Sequence, residues 1–503
     1  MTVEREIKLA ADVDVVLPDL TGILPGVTVG PVSRLQLIAV YFDTPTLALA
    51  RSGVTLRSRT GEPGPTWTLK VPAPPGKTGL SRHELTFDEP LGQVPLGARH
   101  VALAHTRSQP LDPVVRVQTD RTQFALEMDG RPIATVCDDL VVTDLGTEPA
   151  GTFREIEVEL APDIVSHKVI DLVTAQLCAA GCHAEEVTVP KAVRALGPRA
   201  FDPPDVALPA IGKDSNARDL VRHAIAGTVT QLIDLHVGVL IRGNSADLRQ
   251  LQVAVRRLRS DLRTFATYLD HGWTVWLPDE LAWLAGEVRI ARDAEVLADR
   301  LRAQVESLPA EDVRAAGRLL RSVGNSTVEA RHRVLSALSS DRYVALLDGL
   351  VVTVGPPPPE SVGSADQLDR RILVDVLRKL WRRLSRAVDA LGPNPADWDL
   401  ASIRIPSERA RYAAEAMAPF FGRDARRFAS ALADVQSVLS DYHDTVAAEA
   451  WIREAAKGLP AGRLVAGELV AFERHDRERL RHEFTTVWGR ASRPKLRSWM
   501  EHR

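Results

Sequence analysis

Glu4, Glu6 and Lys8 stand at alternate positions near the start of the chain, with Val3, Arg5 and Ile7 interleaved. In an extended strand alternate residues share a face. This spacing therefore puts two carboxylates and an ammonium on one side. The alternation recurs. Arg57 and Arg59 share a face, as do Arg82 and Glu84; Thr66, Thr68 and Lys70 oppose Trp67 and Leu69; Glu155, Glu157 and Glu159 oppose Ile156, Val158 and Leu160. A single strand of this kind turns its polar side to water. Several together, with their apolar sides packed outward under helices and loops, would line the inside of a closed barrel. A barrel of about eight strands has room inside for its own side chains or one small ligand. Charges placed there cost several kcal/mol each unless they are paired or bound. Carboxylates gather a hard divalent cation through oxygen, and Arg and Lys bind the oxygens of a polyanion. Together they describe a site for a metal-bound phosphate compound.

The elements that would position these residues are short strand-like segments before residue 200: VEREIKLA, VTLRSRT, TWTLKVP, SRHELTF, VVRVQTD, FALEMDG, IATVCDDLVV and FREIEVEL. Turn residues separate them, which suggests a sandwich or a barrel. A helix is expected near 162–181, ending at Gly181. After residue 217 the apolar period becomes 3.6, with helices expected over 217–241, 246–268, 278–305, 310–338, 366–391, 407–421, 424–457 and 462–488. Pro- and Gly-rich stretches at 197–217 and 354–366 read as linkers or extended loops. The expectation is an α+β multidomain chain: a β domain over 1–200, a linker over 201–216, and an all-α domain over 217–490 in halves of about 217–353 and 366–490. The halves share a spacing that sets Arg292-Asp293 on His443-Asp444, as an internal duplication would.

The chain has 503 residues and a net charge of −3, so no global basic field marks a specific nucleic-acid binder. Three cysteines suggest a reducing compartment. The charged start lacks the apolar core of a signal peptide, and no run reads as the ~18 apolar residues of a membrane span. A soluble cytoplasmic protein without a membrane partner is expected, its oligomeric state open. Tyr41 and Asp43 read as a strand end and turn. Cys178, Cys182 and His183 read as a helix end rather than a zinc site, because no second ligand pair has zinc spacing.

Two helical segments carry basic stripes. Arg249, Gln252, Arg256, Arg259 and Arg263 lie on one face of the first; Arg371, Arg378, Arg382 and Arg386 lie on one face of the second. Such faces converging in a bundle would make a groove for a long polyanion.

Glu4-Arg-Glu6-Ile-Lys8 resembles the ExExK motif that opens the CYTH family, the triphosphate tunnel metalloenzymes. The resemblance continues in order through YFDTP (41–45), GVTLRSR (53–59), TWTLK (66–70), SRHE (81–84), Arg116, Asp138, EIEVEL (155–160) and PKAVRAL (190–196). It implies an antiparallel eight-stranded tunnel that hydrolyses inorganic or thiamine triphosphate, or cyclises ATP, with Mg2+ or Mn2+. Carried over by position, Glu4, Glu6, Asp138, Glu155, Glu157 and Glu159 are implied metal ligands. Lys8, Arg57, Arg59, Lys70, Arg82, Arg116, Lys191 and Arg194 are implied phosphate clamps, with Glu4, Glu6 and Lys8 at the catalytic centre.

The helical half resembles the CHAD family through LQVAVRRLRSDLRTF (251–265), LAWLAGEVRIARDAEVL (281–297), ERARYAAE (408–415) and LSDYHDTVAAEAWI (439–452). CHAD domains bind inorganic polyphosphate and often follow CYTH domains. The implied binding residues are Arg249, Arg256, Arg259, Arg263, Arg371, Arg378 and Arg382. The sequence departs from the family at Arg249 and Ala401, where His is usual, and at Gln252 and Glu408, where a basic residue is usual. Pro406 is expected to interrupt the second motif helix. The leading expectation is a metal-dependent triphosphatase acting on tripolyphosphate, with a helical domain that binds polyphosphate or localises the enzyme to polyphosphate granules. The alternatives are an adenylate cyclase and a non-enzymatic polyphosphate-binding adaptor.

Overall fold

The computed structural model describes every residue except 1, 4–5, 73–81, 145–150, 162–167, 185–190, 213–214, 270, 356–369, 459–461 and 502–503. The chain forms two units, Met1–Asp205 and Val206–Arg503.

In the first unit the alternating segments build one antiparallel sheet from β1 (Thr2–Val3), β2 (Glu6–Ala11), β3 (Val27–Val29), β4 (Ser33–Asp43), β5 (Thr55–Thr60), β6 (Trp67–Pro72), β7 (Arg82–Phe87), β8 (Asp112–Met128), β9 (Arg131–Asp144), β10 (Gly151–Leu160) and β11 (His183–Ala184). The order is β1-β7-β6-β5-β4-β8-β9-β10-β2-β11, with β3 beside β8. β1 and β2 are neighbouring stretches of chain, yet β1 pairs with β7 and β2 with β10. The N-terminal strand thus touches both flanks of the sheet, which wraps into a barrel.

Among the described residues, helices α1 (Ala48–Arg51), α2 (Leu96–Thr106), α3 (Lys168–Ala179) and α4 (Lys191–Leu196) accompany the strands. Asp43 fixes the turn into α1, accepting hydrogen bonds from the backbone N–H groups of Thr44, Leu49 and Ala50 at 2.7–2.9 Å. Leu9, Val136, Ile156, Val158 and Leu160 face outward and pack with Val169, Val173 and Leu177 of α3. At roughly 1.5–3 kcal/mol per buried aliphatic side chain, this outer layer offsets the charges that alternation turns inward. Not all of the interior is charged. Ala39, Tyr41, Val115, Val117 and Val141 pack with Ala192 and Ala195 of α4, and fill one part of the barrel.

The second unit is helical: α5 (Ala217–Ile241), α6 (Ser245–Thr264), α7 (His271–Val305), α8 (Ala310–Leu338), α9 (Asp341–Val354), α10 (Arg370–Asp389), α11 (Asp397–Ser402), α12 (Arg404–Lys457), α13 (Arg463–Ala491) and α14 (Ser498–Glu501). Leu301, Leu319, Ile452 and Leu469 share a core that joins α7, α8, α12 and α13. The expected boundary between the helices at 407–421 and 424–457 falls at Gly422, where α12 kinks and φ is 67°. Two expectations are corrected. Pro406 lies in the first turn of α12, where a missing N–H breaks no helical bond, so it opens the helix instead of interrupting it. α5 is long and apolar enough, with a mean hydropathy of 1.6, to cross a membrane. Most of it is buried in the helical unit, through Leu220, Ile225, Val229 and Leu232 among others.

Candidate functional site

The inward faces of the barrel, with Lys191 at the start of α4, enclose a cavity of about 150 Å3. Nine residues expected from the sequence line it: Glu6, Lys8, Arg57, Arg59, Lys70, Arg82, Glu157, Glu159 and Lys191. Tyr41, Glu84 and Arg121 line it as well. Glu4 lies outside the described residues.

Strand register explains the pairing. Glu157 lies opposite Lys8, and Glu159 opposite Glu6, across β10 and β2. Lys8 is ion-paired with Glu157 and stands 3.5 Å from both Glu6 and Glu155. Lys191 is ion-paired with Asp139 and lies 3.1 Å from Glu157. Arg121 donates two bonds of 2.7 Å to Asp139 and one of 2.8 Å to Glu157. Lys70 is 3.1 Å from Glu84. Arg57 donates to the Tyr41 hydroxyl at 3.5 Å, and its Nε has no hydrogen-bond partner among the described residues.

These contacts set the protonation states. Burial disfavours the charge on Lys8, yet Glu157, Glu155 and Glu6 outweigh it and hold the ammonium well above its usual range. Lys191 is raised in the same way, burial being outweighed by Glu157 and Asp139. Glu157 is buried too, but Lys191, Lys8 and Arg121 keep it ionised far below the usual carboxylate range. Glu155 goes the other way: burial pushes it up to about 7, against the pull of Lys8 and Lys191. Burial and the neighbouring guanidiniums of Arg57 and Arg121 bring Arg59 down to about 10. At neutral pH the cavity therefore presents fixed cations beside an ionised Glu157.

Three expected residues lie elsewhere, and a fourth stands back from the cavity. Asp138 shares the outward face with Ile156 and Val136; it pairs with Arg154 at 2.8 Å, and Arg154 also holds the carbonyls of Asp12, Val13 and Val15. Asp139, fully buried, takes the inward place. Arg116 is exposed on the outer side of β8, and Arg121, of opposite parity, reaches the cavity instead. Arg194 lies over the Phe153 ring, 4.4 Å from its centroid, and does not line the cavity. Glu155 is 3% exposed and sits behind the lining.

Among the described residues no three His, Cys, Asp or Glu side chains stand together as a metal cluster. Glu6 and Glu159, however, are direct cross-strand partners and both line the cavity. Like charges so placed repel. Two carboxylates are a sufficient protein share for a hard cation that takes its other ligands from water and phosphate. The donor set therefore fits a divalent ion.

In the helical unit the basic stripe of α6 meets α12. Arg256 and Arg404 stand 4.0 and 3.6 Å from Glu408. Burial and the charges of Arg263, Arg383 and Arg259 hold Arg409 below its usual range, which places these four guanidiniums in one cluster. Arg409 and Arg383 are additions to the expected set. Arg378 pairs instead with Asp375 at 2.6 Å on its own helix, and Arg371, Arg382 and Arg249 are exposed. Asp293 and Asp444, the positions matched by spacing, approach each other: burial, then Asp293, raises Asp444 to about 6.

The CYTH domain model matches residues 2–172, and the CHAD domain model matches residues 223–453. The uncharacterized proteins Rv2226 and MT2285 of two Mycobacterium tuberculosis strains are each 32% identical to this chain over 475 residues, 89% of this chain and 88% of theirs. PptA from Streptomyces chartreusis is 24% identical, covering 55% of this chain and 100% of its own, with a TM-score of 0.46. The CHAD domain from the plant Ricinus communis is 23% identical, covering 59% and 96%, with a TM-score of 0.42. On these matches, the chain belongs to the family of proteins in which a CYTH domain is followed by a CHAD domain.

Proposed function

We propose that the barrel hydrolyses a linear triphosphate, inorganic tripolyphosphate foremost, with the aid of Mg2+ or Mn2+. The observation that carries this reading is the convergence of Lys8, Arg57, Arg59, Lys70, Arg82, Arg121 and Lys191 on one small cavity that also holds Glu6, Glu157 and Glu159. Members of the CYTH family are metal-dependent triphosphatases or cyclases, which supports the reaction class. The cavity is lined almost entirely by charged and polar side chains, which suits a phosphate chain.

The chain's own residues supply binding and charge. Arg57, Arg59 and Arg121 offer forked donors to phosphate oxygens. Lys8 and Lys191, held protonated by their carboxylates, face the charge that develops as the terminal phosphoryl leaves, the kind of stabilisation that dominates phosphoryl transfer. Glu6 and Glu159 would hold the divalent ion. Bound there, it would neutralise phosphate oxygens and lower the pKa of attacking water.

The helical unit, in this proposal, binds polyphosphate through Arg256, Arg259, Arg263, Arg383, Arg404 and Arg409, and holds the protein on polyphosphate in the cell. The experiment is a panel of tripolyphosphate, thiamine triphosphate and ATP with each metal. Phosphate release from tripolyphosphate is expected to be fastest, and cyclic AMP as the main product would reject the proposal.

A further inference from the structure

Arg59 lines the cavity, but its guanidinium is ion-paired with Glu62, three residues on and outside the lining. The connection between β5 and β6 is shaped to bring that carboxylate back. Gly61 has a φ of +104°, and a Cβ there would lie 1.9 Å from the Gln36 carbonyl oxygen, so the turn is pressed against β4 where only glycine fits. The Arg59 N–H closes the turn on the Thr66 carbonyl at 2.8 Å. Beyond it, Arg57 and Arg121 act on Arg59 as like charges. Without a ligand, Glu62 is ion-paired with Arg59, and Glu157 acts on it from across the cavity.

We propose that Glu62 is a positioning residue for the tunnel: it holds Arg59 at rest and competes with the incoming phosphate chain for it. This rests on the tunnel reading above. Carboxylate and phosphate oxygens make the same forked bond to a guanidinium. A phosphate that engages Arg59 must therefore displace Glu62, and Glu62 takes Arg59 back when the product leaves. The residue thus weakens ligand binding and favours release. Because it stands outside the cavity lining, it can yield Arg59 without opening the barrel.

The test uses the full chain. Tripolyphosphate affinity is measured by titration calorimetry without divalent ions, and KM and kcat with Mg2+ or Mn2+. The Arg59 and Glu62 side chains are 24% and 22% exposed, so solvent still reaches the pair and limits its effect on affinity to a few-fold. Glu62→Gln should therefore lower both Kd and KM about three- to fivefold and change kcat less than twofold. Glu62→Asp, one methylene shorter, should fall between. In an Arg59→Ala background, Glu62→Gln should do nothing. Unchanged or weaker binding in Glu62→Gln, with the wild type binding normally, would overturn the inference; so would the same gain in the Arg59→Ala background. A wild type whose tripolyphosphate affinity is indifferent to Lys8→Ala would instead bring down the tunnel reading itself.

Discussion

Glu155→Gln separates the carboxylate that braces the barrel from those that face its ligand. Glu155 is 3% exposed, and burial raises it from 4.5 to about 7 despite Lys8 and Lys191 at 3.5 and 3.4 Å. A raised carboxyl means that the fold holds its proton more tightly than the unfolded chain does. The stability this contributes is complete below about pH 4.5 and is lost as pH rises through 7. At 1.36 kcal/mol per unit, the shift is worth at most about 3 kcal/mol. Glu157, beside it, moves in the opposite direction and shares the titration. The expected difference is therefore about 1–3 kcal/mol. Glutamine keeps the neutral shape. At pH 8.5 Glu155→Gln should be more stable than the wild type by that amount, which is roughly 3–10 °C in Tm for a unit of this size. At pH 5 the two should agree within about 0.5 kcal/mol. Scanning calorimetry of the full chain at both pH values reads the difference. A variant that is less stable at pH 8.5, or shifted equally at both, would show that Glu155 is held ionised.

Three further outcomes follow from the placement of neighbouring residues. Asp139→Ala takes one carboxylate from Arg121 and Lys191, which keep Glu157, and should cost about 1.5–3 kcal/mol, whereas Asp138→Ala removes only the Arg154 pair and should leave kcat unchanged; denaturant titration and steady-state kinetics distinguish them. Arg121→Ala should raise the KM for tripolyphosphate at least about tenfold, on the scale of ~1.5–3 kcal/mol for a charged hydrogen bond, while Arg116→Ala should leave it alone. Arg409→Glu should weaken polyphosphate binding and flatten its dependence on salt, without altering tripolyphosphate turnover; Arg371→Glu should do neither.

The strands that present the charges were legible because alternation is a strict two-residue period. Glu6, Lys8, Arg57, Arg59, Lys70, Glu157 and Glu159 all share the cavity, as their spacing requires. The order of the two units was legible in the switch to a 3.6-residue period after residue 217. The misses have physical causes. In IATVCDDLVV both faces of β9 mix apolar and acidic residues, so parity alone does not choose between Asp138 and Asp139; the register that sets Cys137 opposite Glu157 does. Arg116, implied by the resemblance, stands on the outer face because Val115 and Val117 face inward, against α4. Arg121, five residues on and so of opposite parity, faces inward with them. Arg383 and Arg409 stand off the helical stripes counted in sequence, and only the crossing of α6, α10 and α12 brings them together. α9 fills 341–354, a stretch inside the expected all-α half to which no helix was assigned between the helix ending at 338 and the Pro-rich stretch.

In the proposed function, inward-facing acids and bases enclose a triphosphate held with a divalent ion. Phosphate release from tripolyphosphate by the full chain, with and without Mg2+ or Mn2+, is decisive when the wild type is compared with Lys8→Ala. Metal-dependent release that falls by about 10²–10³ in the variant is the expected result. No release with either metal, or release indifferent to the loss of Lys8, would contradict it.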